Sequence, residues 1–544
     1  MMRQEADKPY VPLFRIENNV LIGVEETYPK CTNVAQLILD RLRSKPDFVG
    51  QVETITGKES TYAEMAEQSI RCALWLKKNG IEKGDKIGIW TDNHLNTYIP
   101  VIASLYIAAI ICPWDHDVSK MSARYCLSLT SPKIVFVNAA SAENLMDAAK
   151  EENLKVKVVV IGSLPGFVSL ADILEDQIDS SEIDEFLCSE IDNPRDLAMI
   201  CSSSGTTGMP KGTELSYVSL YNSVTPVEEI HLKNEVSLWL PTIRWHYGLT
   251  LIIEVILSNS KRIIIPDNLS EIEICKVIQN HEVTWFGCDT CFPLRLLKYD
   301  ILQKYPLTCL KKLVVSGAPF TKKMQEAVAK MMQRTQVLQC YGLTDAGGLC
   351  VSQTRTSKPG SCGFVIRGVR IKVVDEKTGE TVGVNKMGEL CIKSEFLMNG
   401  YHKNPQQTKE VIDSDGWLHT KDIVYYDKDG EIYFVSRISD FINYGSIKLS
   451  PAEIESVLEL HPSVLNAAVV PVPHETDEEH PMAFVEKVAG KEVTAEELHS
   501  LVEENLPWYC KLLGGVVFLD KMPRVTTGKI DKKRLKIMAK SYVS

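Results

Sequence analysis

Apolar and polar positions follow two different patterns along the chain, and the pattern changes near residue 360. From about residue 30 to residue 340, short apolar runs alternate with stretches whose apolar positions recur at helical spacing. The predicted strands include residues 86–90, 133–137, 156–161, 262–265 and 313–315, and the predicted helices include residues 142–150, 271–281 and 321–333. Strands and helices that alternate in this way are typical of an α/β fold.

After residue 360 the pattern changes to strands and turns. Residues 423–426 and 431–435 are predicted strands joined around Asp429 and Gly430, a pair suited to a hairpin turn. Beyond about residue 440 we predict helices at 451–461 and 494–504, strands at 467–471, 483–488 and 516–519, and a final basic helix. The chain therefore ends in a small α+β unit.

The boundary of that unit follows from a helix start. Ser450 is a suitable capping residue, Pro451 suits the first helical position, and Glu453 suits the third. We predict a large N-terminal domain of α/β subdomains plus a β-rich subdomain over residues 1–436. A hinge at residues 437–440 and a small C-terminal domain at residues 441–544 follow.

Bulk composition narrows the class of protein. At 544 residues the chain is too long for one ordinary core. A composition of 44% hydrophobic and 24% charged residues excludes disorder over the whole chain. A net charge of −11 argues against a partner bound through phosphate neutralisation, so we expect no nucleic acid. The longest apolar stretch, residues 98–113, is interrupted by Pro100 and is shorter than the ~20 residues of a membrane span. We predict a buried helix there and no transmembrane segment.

The two ends of the chain and its cysteines indicate the cellular compartment. Residues 1–15 are mixed and polar and lack the apolar region of a secretory signal, so we expect an intracellular protein, with the cytoplasm favoured. Residues 541–544 are not a Ser-Lys-Leu type of peroxisomal address, which makes direct peroxisomal import doubtful. The 15 cysteines are scattered, and Cys288 and Cys291 form the single CxxC pair, so we expect reduced, mostly buried thiols.

One run of hydroxyls and glycines suits a polyphosphate. It reads Ser202-Ser203-Ser204-Gly205-Thr206-Thr207-Gly208-Met209-Pro210-Lys211-Gly212 and follows the apolar residues 197–201, which predict a strand. Glycines admit backbone N–H groups close to phosphate oxygens, and a lysine adds a point charge. It is not a Walker P-loop, because Lys211 is followed by Gly212. The alternative is a flexible Ser/Gly linker, which the proline and the lysine make less fitting.

Several other motifs follow the loop in a recognisable order. They are Tyr341-Gly342-Leu343-Thr344-Asp345, Gly416-Trp417-Leu418-His419-Thr420-Lys421-Asp422, Arg437, and Thr527-Gly528-Lys529. With these motifs the chain resembles the adenylate-forming superfamily over almost its whole length, most strongly the insect luciferase-like and 4-coumarate/acyl-CoA ligases. The resemblance implies that ATP activates a fatty or aromatic carboxylic acid to an acyl-adenylate and pyrophosphate. Transfer to coenzyme A would follow, with Mg²⁺ as the metal.

The resemblance also implies roles for single residues. Lys529 would supply positive charge where a carboxylate attacks the α-phosphorus; alone, it would be a surface lysine. Asp422 would accept hydrogen bonds from the ribose hydroxyls, and Arg437 would reach the ribose and anchor the linker. Tyr341 would stack on adenine, and Asp345 would hold magnesium. The remaining nucleotide-binding candidates are Ser202–Gly208 and Lys211 of the loop, Ser316, Gly317, Ala318, Gln339, Gly342 and Thr344.

An acyl pocket is implied near one histidine. Its candidate residues are Trp245, His246, Gly248, Gly347 and Gly348. Relatives place aromatic or histidine residues in the segment around His246, where an imidazole would touch the substrate. The alternative is that His246 is a core residue packed among aromatic rings.

Departures from the family pattern concern the metal and the thiol. Asp345 stands where Glu is usual, so magnesium would bind through an extra water or more weakly. Lys421 and Cys340 each stand where relatives have Gly. The candidate CoA-binding residues are Asn443, Gly445 and Ser446, but relatives carry Lys and Gly at 443 and 446. Relatives transfer the acyl group after the C-terminal domain turns about the linker, here near Ser439, so we expect slow thiol transfer.

Three functions remain open from the sequence. The first is a carboxylate–CoA ligase that works through an acyl-adenylate. The second is a luciferase-type monooxygenase that oxidises an adenylated luciferin, motivated by the luciferase-like segment 512–518. The third is a catalytically impaired nucleotide- or acyl-binding relative, motivated by the departures. The sequence names neither the acid nor the oligomeric state.

Overall fold

The computed structural model describes residues 13–25, 33–114, 119–203, 210–225, 229–267, 269–444, 447–525 and 529–542. Within these residues the strands are β1 (Phe14–Glu17), β2 (Val20–Gly23), β3 (Val49–Glu53), β4 (Glu59–Thr61), β5 (Lys86–Trp90), β6 (Ile110–Pro113), β7 (Ile134–Asn138), β8 (Lys157–Ile161), β9 (Val168–Ser169), β10 (Leu197–Ser203), β11 (Lys211–Ser216), β12 (Val236–Trp239), β13 (Lys261–Ile264), β14 (Trp285–Cys288), β15 (Lys312–Val315), β16 (Gln336–Leu343), β17 (Gly348–Ser352), β18 (Phe364–Val365), β19 (Val369–Val374), β20 (Gly388–Ser394), β21 (Gly400–Tyr401), β22 (Leu418–Tyr426), β23 (Ile432–Arg437), β24 (Ile442–Tyr444), β25 (Ile447–Leu449), β26 (Val464–His474), β27 (Glu478–Lys487) and β28 (Val516–Leu519).

The helices of the same residues are α1 (Val34–Ser44), α2 (Tyr62–Lys78), α3 (Tyr98–Tyr106), α4 (Lys120–Thr130), α5 (Ala139–Glu151), α6 (Leu170–Glu175), α7 (Ser180–Asp184), α8 (Tyr217–Val224), α9 (His246–Leu257), α10 (Glu271–Asn280), α11 (Cys291–Lys298), α12 (Ile301–Lys304), α13 (Lys322–Met331), α14 (Pro405–Val411), α15 (Pro451–Leu458), α16 (Ala495–Asn505) and α17 (Lys532–Ala539). The α/β fold class with a large N-terminal and a smaller C-terminal unit is confirmed.

Two largely parallel sheets form the body of the large unit. The first has the strand order β21-β11-β10-β6-β5-β7-β8-β9, and the second has the order β18-β17-β16-β15-β14-β12-β13-β3-β4. Strands such as β7 have buried side chains on both faces, because helices cover both sides of the sheet. A strand that is buried on both faces is a continuous apolar run, and such runs predicted these strands.

Helices of the large unit begin where the sequence offers capping groups. Thr61 caps α2 and Ser270 caps α10, and in each case a glutamate three residues later completes a capping box. The predicted helix 271–281 accordingly begins at the residue expected. Helices α1, α2, α3 and α9 contribute to a common apolar core that also includes residues of the first sheet.

The prediction of one buried helix over residues 98–113 was wrong in part. Helix α3 occupies Tyr98–Tyr106, and strand β6 follows at Ile110–Pro113. Pro100 lies in the first turn of the helix, where its missing N–H is tolerated. The helix ends because Ala108 adopts φ 55, a left-handed conformation that reverses the chain into the strand. Among the described residues, no helix has both the length and the apolar character that crossing a membrane requires.

A six-stranded antiparallel sheet holds the β-rich part of the large unit, in the order β1-β2-β19-β20-β22-β23. Its first two strands come from the N-terminal end of the described chain, and β2 pairs with β19 across more than 300 residues, with Ile22 opposite Arg370. No local pattern in the sequence predicted this pairing. The predicted hairpin around Gly430 is present as β22 and β23.

The small unit is a separate sheet with its own core. Its strands run in the order β25-β24-β27-β26, with β28 parallel to β27. Helices α15 and α16 contribute side chains to one of its apolar clusters and α17 to another. The 14 cysteines among the described residues are all free thiols, and most of them are buried.

A buried lysine joins the two units. Lys298 ends helix α11 and is 8% exposed, and its ammonium donates to the carbonyl oxygen of His461 at 2.6 Å and to that of Glu459. Both carbonyls follow helix α15 of the small unit, where a cation is favourable because carbonyl groups point outward from a helix end. Lys448 also forms an ion pair with Glu376, at 2.8 Å, across the same boundary.

Candidate functional site

The predicted phosphate loop connects two paired strands. Ser202 and Ser203 end β10, Lys211 begins β11, and Ser203 lies opposite Lys211 in the antiparallel register. The predicted residues Ser204, Gly205, Thr206, Thr207 and Gly208 lie outside the described residues. The ends of the loop are therefore fixed by the first sheet, and the lysine that closes the loop is the first residue of β11.

Lys211 and Asp345 meet at one tyrosine. The Lys211 ammonium lies 4.3 Å from the centre of the Tyr401 ring, and the Tyr401 hydroxyl donates a hydrogen bond to Asp345 Oδ2. The other carboxylate oxygen of Asp345 accepts from Thr213 Oγ1 at 3.0 Å. Burial raises the pKa of Asp345, and the two hydroxyl donors and the Lys211 charge act against this rise. The structure thus brings the predicted phosphate lysine and the predicted metal carboxylate together.

Asp422 lies at the centre of a buried polar cluster. It is 3% exposed, and it lies directly opposite Arg437 in the register of β22 and β23. Arg437 Nε donates to Asp422 Oδ1 at 3.1 Å, and the Tyr341 hydroxyl donates to Asp422 Oδ2 at 2.6 Å. Burial raises the pKa of the Asp422 carboxyl, and the neighbouring guanidinium opposes this rise. Three residues predicted from separate motifs are therefore in direct contact.

A second buried network supports the turn before Asp422. Lys421 adopts φ 63, a conformation that favours glycine, and its N–H donates to Glu389 Oε1 at 3.0 Å. The other oxygen of Glu389 lies 2.9 Å from Nδ1 of His419. The sequence analysis missed Glu389. The one available signal was His419, which lies three residues before Asp422 in the same motif.

The candidate adenine wall lies at the carboxyl ends of neighbouring parallel strands. Ser316, Gly317 and Ala318 directly follow β15, and Gln339 in β16 lies opposite Val315. Gly317 has φ 90 and no atom within 4 Å of the position a Cβ would take, so its backbone faces open space. The side-chain oxygen of Gln339 is buried and lacks a hydrogen-bond partner among the described residues. The open backbone edge at Gly317 leaves room for a flat ligand.

The chain turns sharply between Gly342 and Gly348. A Cβ on Gly342 would lie 2.4 Å from the carbonyl oxygen of Gly348, because β16 and β17 approach closely there. Thr344 and Asp345 lie in a short 3₁₀ helix, Thr344–Ala346, that follows β16. A Cβ on Gly347, which has φ 79, would lie 2.0 Å from the carbonyl oxygen of Phe396. Glycine is therefore required here by close packing.

The predicted acyl-pocket residues cluster around His246. This residue begins α9 and is 5% exposed, and its Nε2 lies 3.4 Å from Ser223 Oγ, which itself donates to the carbonyl oxygen of Gly347 at 2.8 Å. A Cβ on Gly348 would lie 3.0 Å from His246 Cε1. Burial lowers the pKa of His246 to about 4, so the imidazole is neutral at physiological pH. Gly248 is the third residue of α9 and packs against the carbonyl oxygen of Thr242.

Lys529 is a residue of the small unit that lies at this site. Its ammonium lies 5.6 Å from the centre of the Trp245 ring, and Arg437 and Asp422 are close enough to affect its charge. Although Lys529 is exposed as a residue, the surrounding protein removes water from its ammonium and lowers its pKa to about 8, with Arg437 acting in the same direction. The predicted catalytic lysine therefore lies near the predicted ribose site. We call the region around Lys529, Trp245, Asp422 and Arg437 the cleft.

Among the candidate CoA-binding residues, the structure describes Asn443 alone. Asn443 is exposed in β24, where its N–H donates to Glu479 Oε2 at 2.8 Å and where it pairs with Lys448. These contacts all lie in the small unit. Gly445 and Ser446 lie outside the described residues.

The residues around the cleft fit a magnesium nucleotide. Each oxygen of Asp345 accepts one hydroxyl hydrogen and keeps further acceptor capacity, and a single carboxylate combined with phosphate oxygens and water is a common Mg²⁺ environment. The open backbone at Gly317 leaves room for a nucleobase. For a CoA thiol, Asn443 offers an amide without a positive charge.

Comparison with known proteins gives an independent result. The chain matches the family model for AMP-binding enzymes over residues 40–402, and the model for the AMP-binding enzyme C-terminal domain over residues 453–529. It is 30% identical over 541 residues to luciferin 4-monooxygenase of Nipponoluciola cruciata, covering 97% of this chain and 98% of that protein. It is also 30% identical over 495 residues to 4-coumarate–CoA ligase 1 of Petroselinum crispum, covering 88% of this chain and 89% of that protein.

Solved structures share the fold. The ATP-bound crystal structure of MatB from Rhodopseudomonas palustris has a TM-score of 0.83 at 23% identity, covering 94% of this chain and 100% of that chain. The apo crystal structure of the same protein has a TM-score of 0.73 at the same identity and coverage.

Proposed function

The chain belongs to the AMP-binding enzyme family, and we propose that it activates a carboxylic acid as an acyl-adenylate and then transfers the acyl group to coenzyme A. Adenylate formation with ATP is the activity common to this family, and it is the firmer part of the assignment. The nature of the acid, fatty or aromatic, and the transfer to a thiol are the further parts of the proposal. The observation that carries the proposal is the position of the Lys529 ammonium over Trp245, near enough to Asp422 and Arg437 for their charges to act on its pKa.

The chemistry requires positive charge at a defined place. When a carboxylate attacks the α-phosphorus of ATP, two anionic groups approach each other, and fixed cations stabilise the charge that develops. Lys529 provides such a cation above Trp245, at the edge of the acyl-pocket candidates. The neutral imidazole of His246 adds no charge to that pocket, which suits an acid whose remaining part is apolar.

We assign the nucleotide to the opposite side of the cleft. Asp422 uses one acceptor site of each oxygen for Tyr341 and Arg437, so its carboxylate retains capacity for ribose hydroxyls. Lys211 and the loop after β10 would bind the β- and γ-phosphates, which leave as pyrophosphate. Asp345 would hold Mg²⁺, whose positive charge would help to neutralise the phosphates.

Transfer to CoA would require the small unit to turn. In the present arrangement Lys529 is at the cleft and Asn443 is held within the small unit by Glu479. We propose that residues 437–440 form the hinge for this movement and that Asn443 then reaches the cleft. Because asparagine supplies no cation, thiol transfer is expected to be the slower step.

A luciferase-type monooxygenase is the second candidate. The chain is as similar to a luciferin monooxygenase as it is to a CoA ligase, and Asn443 weakens the case for thiol transfer. Both candidates begin with an adenylate and differ in what happens to it. Light emission from a luciferin with ATP, in the absence of thioester formation, would favour the second candidate.

The first prediction concerns the adenylate. Exchange of labelled pyrophosphate into ATP is expected to depend on a carboxylic acid, measured with a panel of fatty and aromatic acids. Lys529→Ala is expected to reduce this exchange about 100- to 1000-fold, the usual effect of removing one preorganised group that stabilises transition-state charge. Lys533→Ala, which changes an exposed lysine nearby, is the matched control and is expected to leave the rate unchanged. Equal exchange rates in both variants would contradict the role of Lys529.

The second prediction concerns pH. The Lys529 ammonium is the active form and has a pKa of about 8, so the cation is present below this pH and is lost above it. The kcat/KM for ATP is therefore expected to fall as pH rises through about 8, because this parameter reports groups of the free enzyme. Lys529→Arg, which keeps its charge at alkaline pH, is expected to lose this fall. A wild-type profile that rises through the same range would be inconsistent with the assignment.

The third prediction concerns thiol transfer. Asn443→Lys is expected to raise the rate of thioester formation about fivefold, since an added cation near a phosphate or thiolate contributes about 1 kcal/mol. Pyrophosphate exchange is expected to stay unchanged, because Asn443 lies outside the cleft when the adenylate forms. Asn443→Gln is the control that alters size without charge. If Asn443→Lys changes pyrophosphate exchange and leaves thioester formation unaltered, position 443 does not act in thiol transfer as proposed.

A further inference from the structure

Two histidines and an aspartate meet at the end of a hairpin in the small unit. Strands β26 and β27 pair with His474 opposite Glu478 and Val472 opposite His480. In this register His474 and His480 are diagonal neighbours on one face of the hairpin. Their rings stack with centroids 3.8 Å apart and an angle of 20° between the planes.

The turn directs a carboxylate at both imidazoles. Asp477 Oδ2 lies 2.8 Å from Nε2 of His480 and 3.3 Å from Nδ1 of His474. Glu478 adopts φ 64, which closes the turn and leaves Asp477 beside the two rings. Three potential ligand atoms thus lie within 4.8 Å of one another.

We propose that His474, Asp477 and His480 form a binding site for one divalent transition-metal ion, with Zn²⁺ the best match. Two imidazole nitrogens and a carboxylate oxygen are donors that Zn²⁺ accepts, and water would complete a tetrahedron. Ligand atoms about 2.1 Å from a tetrahedral ion are about 3.4 Å apart; the His474 contact at 3.3 Å matches this value, and the His480 contact at 2.8 Å would have to lengthen. The stacked rings would have to turn apart so that both nitrogens direct their lone pairs at one ion.

Hydrogen bonds also join these side chains, since His480 Nε2 lies 2.8 Å from Asp477 Oδ2 and Thr476 Oγ1 lies 3.3 Å from His474 Nδ1. Two protonated imidazoles stacked at 3.8 Å would repel each other, and a single aspartate neutralises one of them. A neutral imidazole has a free lone pair, and a metal ion uses the lone pairs of both rings together with the carboxylate charge. The cluster is half exposed at His474, which gives an ion and its waters access from solvent.

Another group with metal-binding residue types has a different explanation. Glu389, Cys391 and His419 also lie close together, but Glu389 accepts from the N–H of Lys421, and His419 lies 3.4 Å from Asp413 through its other nitrogen. That network supports the turn before Asp422. The histidine hairpin, in contrast, has no part in the nucleotide cleft.

An ion at the hairpin would act on strand β24. The His480 ring lies 5.5 Å from the Tyr444 ring, Tyr444 pairs with Glu478, and Glu479 holds the N–H of Asn443. Bound metal would therefore stiffen the hairpin end that contacts β24, shortly after the proposed hinge. Metal binding at this hairpin does not depend on the proposed function.

The test uses the full chain, freed of metal with a chelator and then dialysed. Titration calorimetry with Zn²⁺ is expected to reveal one site that His474→Ala and His480→Ala each weaken at least about tenfold, because each removes one of three protein ligands. Bound Co²⁺ is expected to give visible absorption without a thiolate charge-transfer band. Far-ultraviolet circular dichroism checks that each variant is folded.

Two control variants make the result specific. His499→Ala removes a histidine elsewhere in the small unit, and Cys391→Ser alters the other cluster; both are expected to bind Zn²⁺ like the wild type. Unchanged binding in His474→Ala and His480→Ala would overturn the proposal. So would a loss of binding confined to Cys391→Ser, or a thiolate band in the Co²⁺ spectrum.

Discussion

The contact between the buried Asp422 and the partly exposed Arg437 is the interaction on which the rest of the cleft depends. A carboxylate that is 3% exposed needs partners, and the register of β22 and β23 places the guanidinium directly opposite. Arg437 is also the last residue of β23, where the large unit gives way to the small one. The group that stabilises the proposed ribose carboxylate therefore also fixes the direction in which the chain leaves the large unit.

That position explains how distant parts of the chain cooperate. Lys529 belongs to the small unit, yet its charge is affected by Arg437 and Asp422, and its ammonium lies over Trp245 of the large unit. Lys298 contributes from the other side by holding the carbonyl groups at the end of α15. A lysine partly removed from water has a lowered pKa, here about 8. The cation that the small unit supplies is therefore lost as the pH rises through about 8. The proposed chemistry thus depends on how the two units are docked.

Much of this arrangement followed from local sequence. Strand β5 was predicted at its observed residues, since a parallel strand buried on both faces is a continuous apolar run. The resemblance selected Asp422, Arg437 and Lys529 from motifs far apart in the chain, and the structure brings them together.

Other features depend on contacts that no local pattern reports. The helix predicted across residues 98–113 missed the left-handed Ala108, and the pairing of β2 with β19 joins segments more than 300 residues apart. Glu389 was missed for the same reason, because its importance comes from bonds to Lys421 and His419 in another strand. The stacking of His474 on His480 requires a register that sequence alone leaves open.

The central claim is that the cleft joins a carboxylate to the α-phosphorus of ATP. The most direct measurement uses carboxylic acids labelled with oxygen-18 in the carboxyl group, followed by release of the acyl group with hydroxylamine and mass spectrometry of the nucleotide. The account predicts AMP that carries one oxygen-18 atom, because the bond broken on release lies between the acyl carbon and that oxygen. Unlabelled AMP, or ADP as the product, would contradict it.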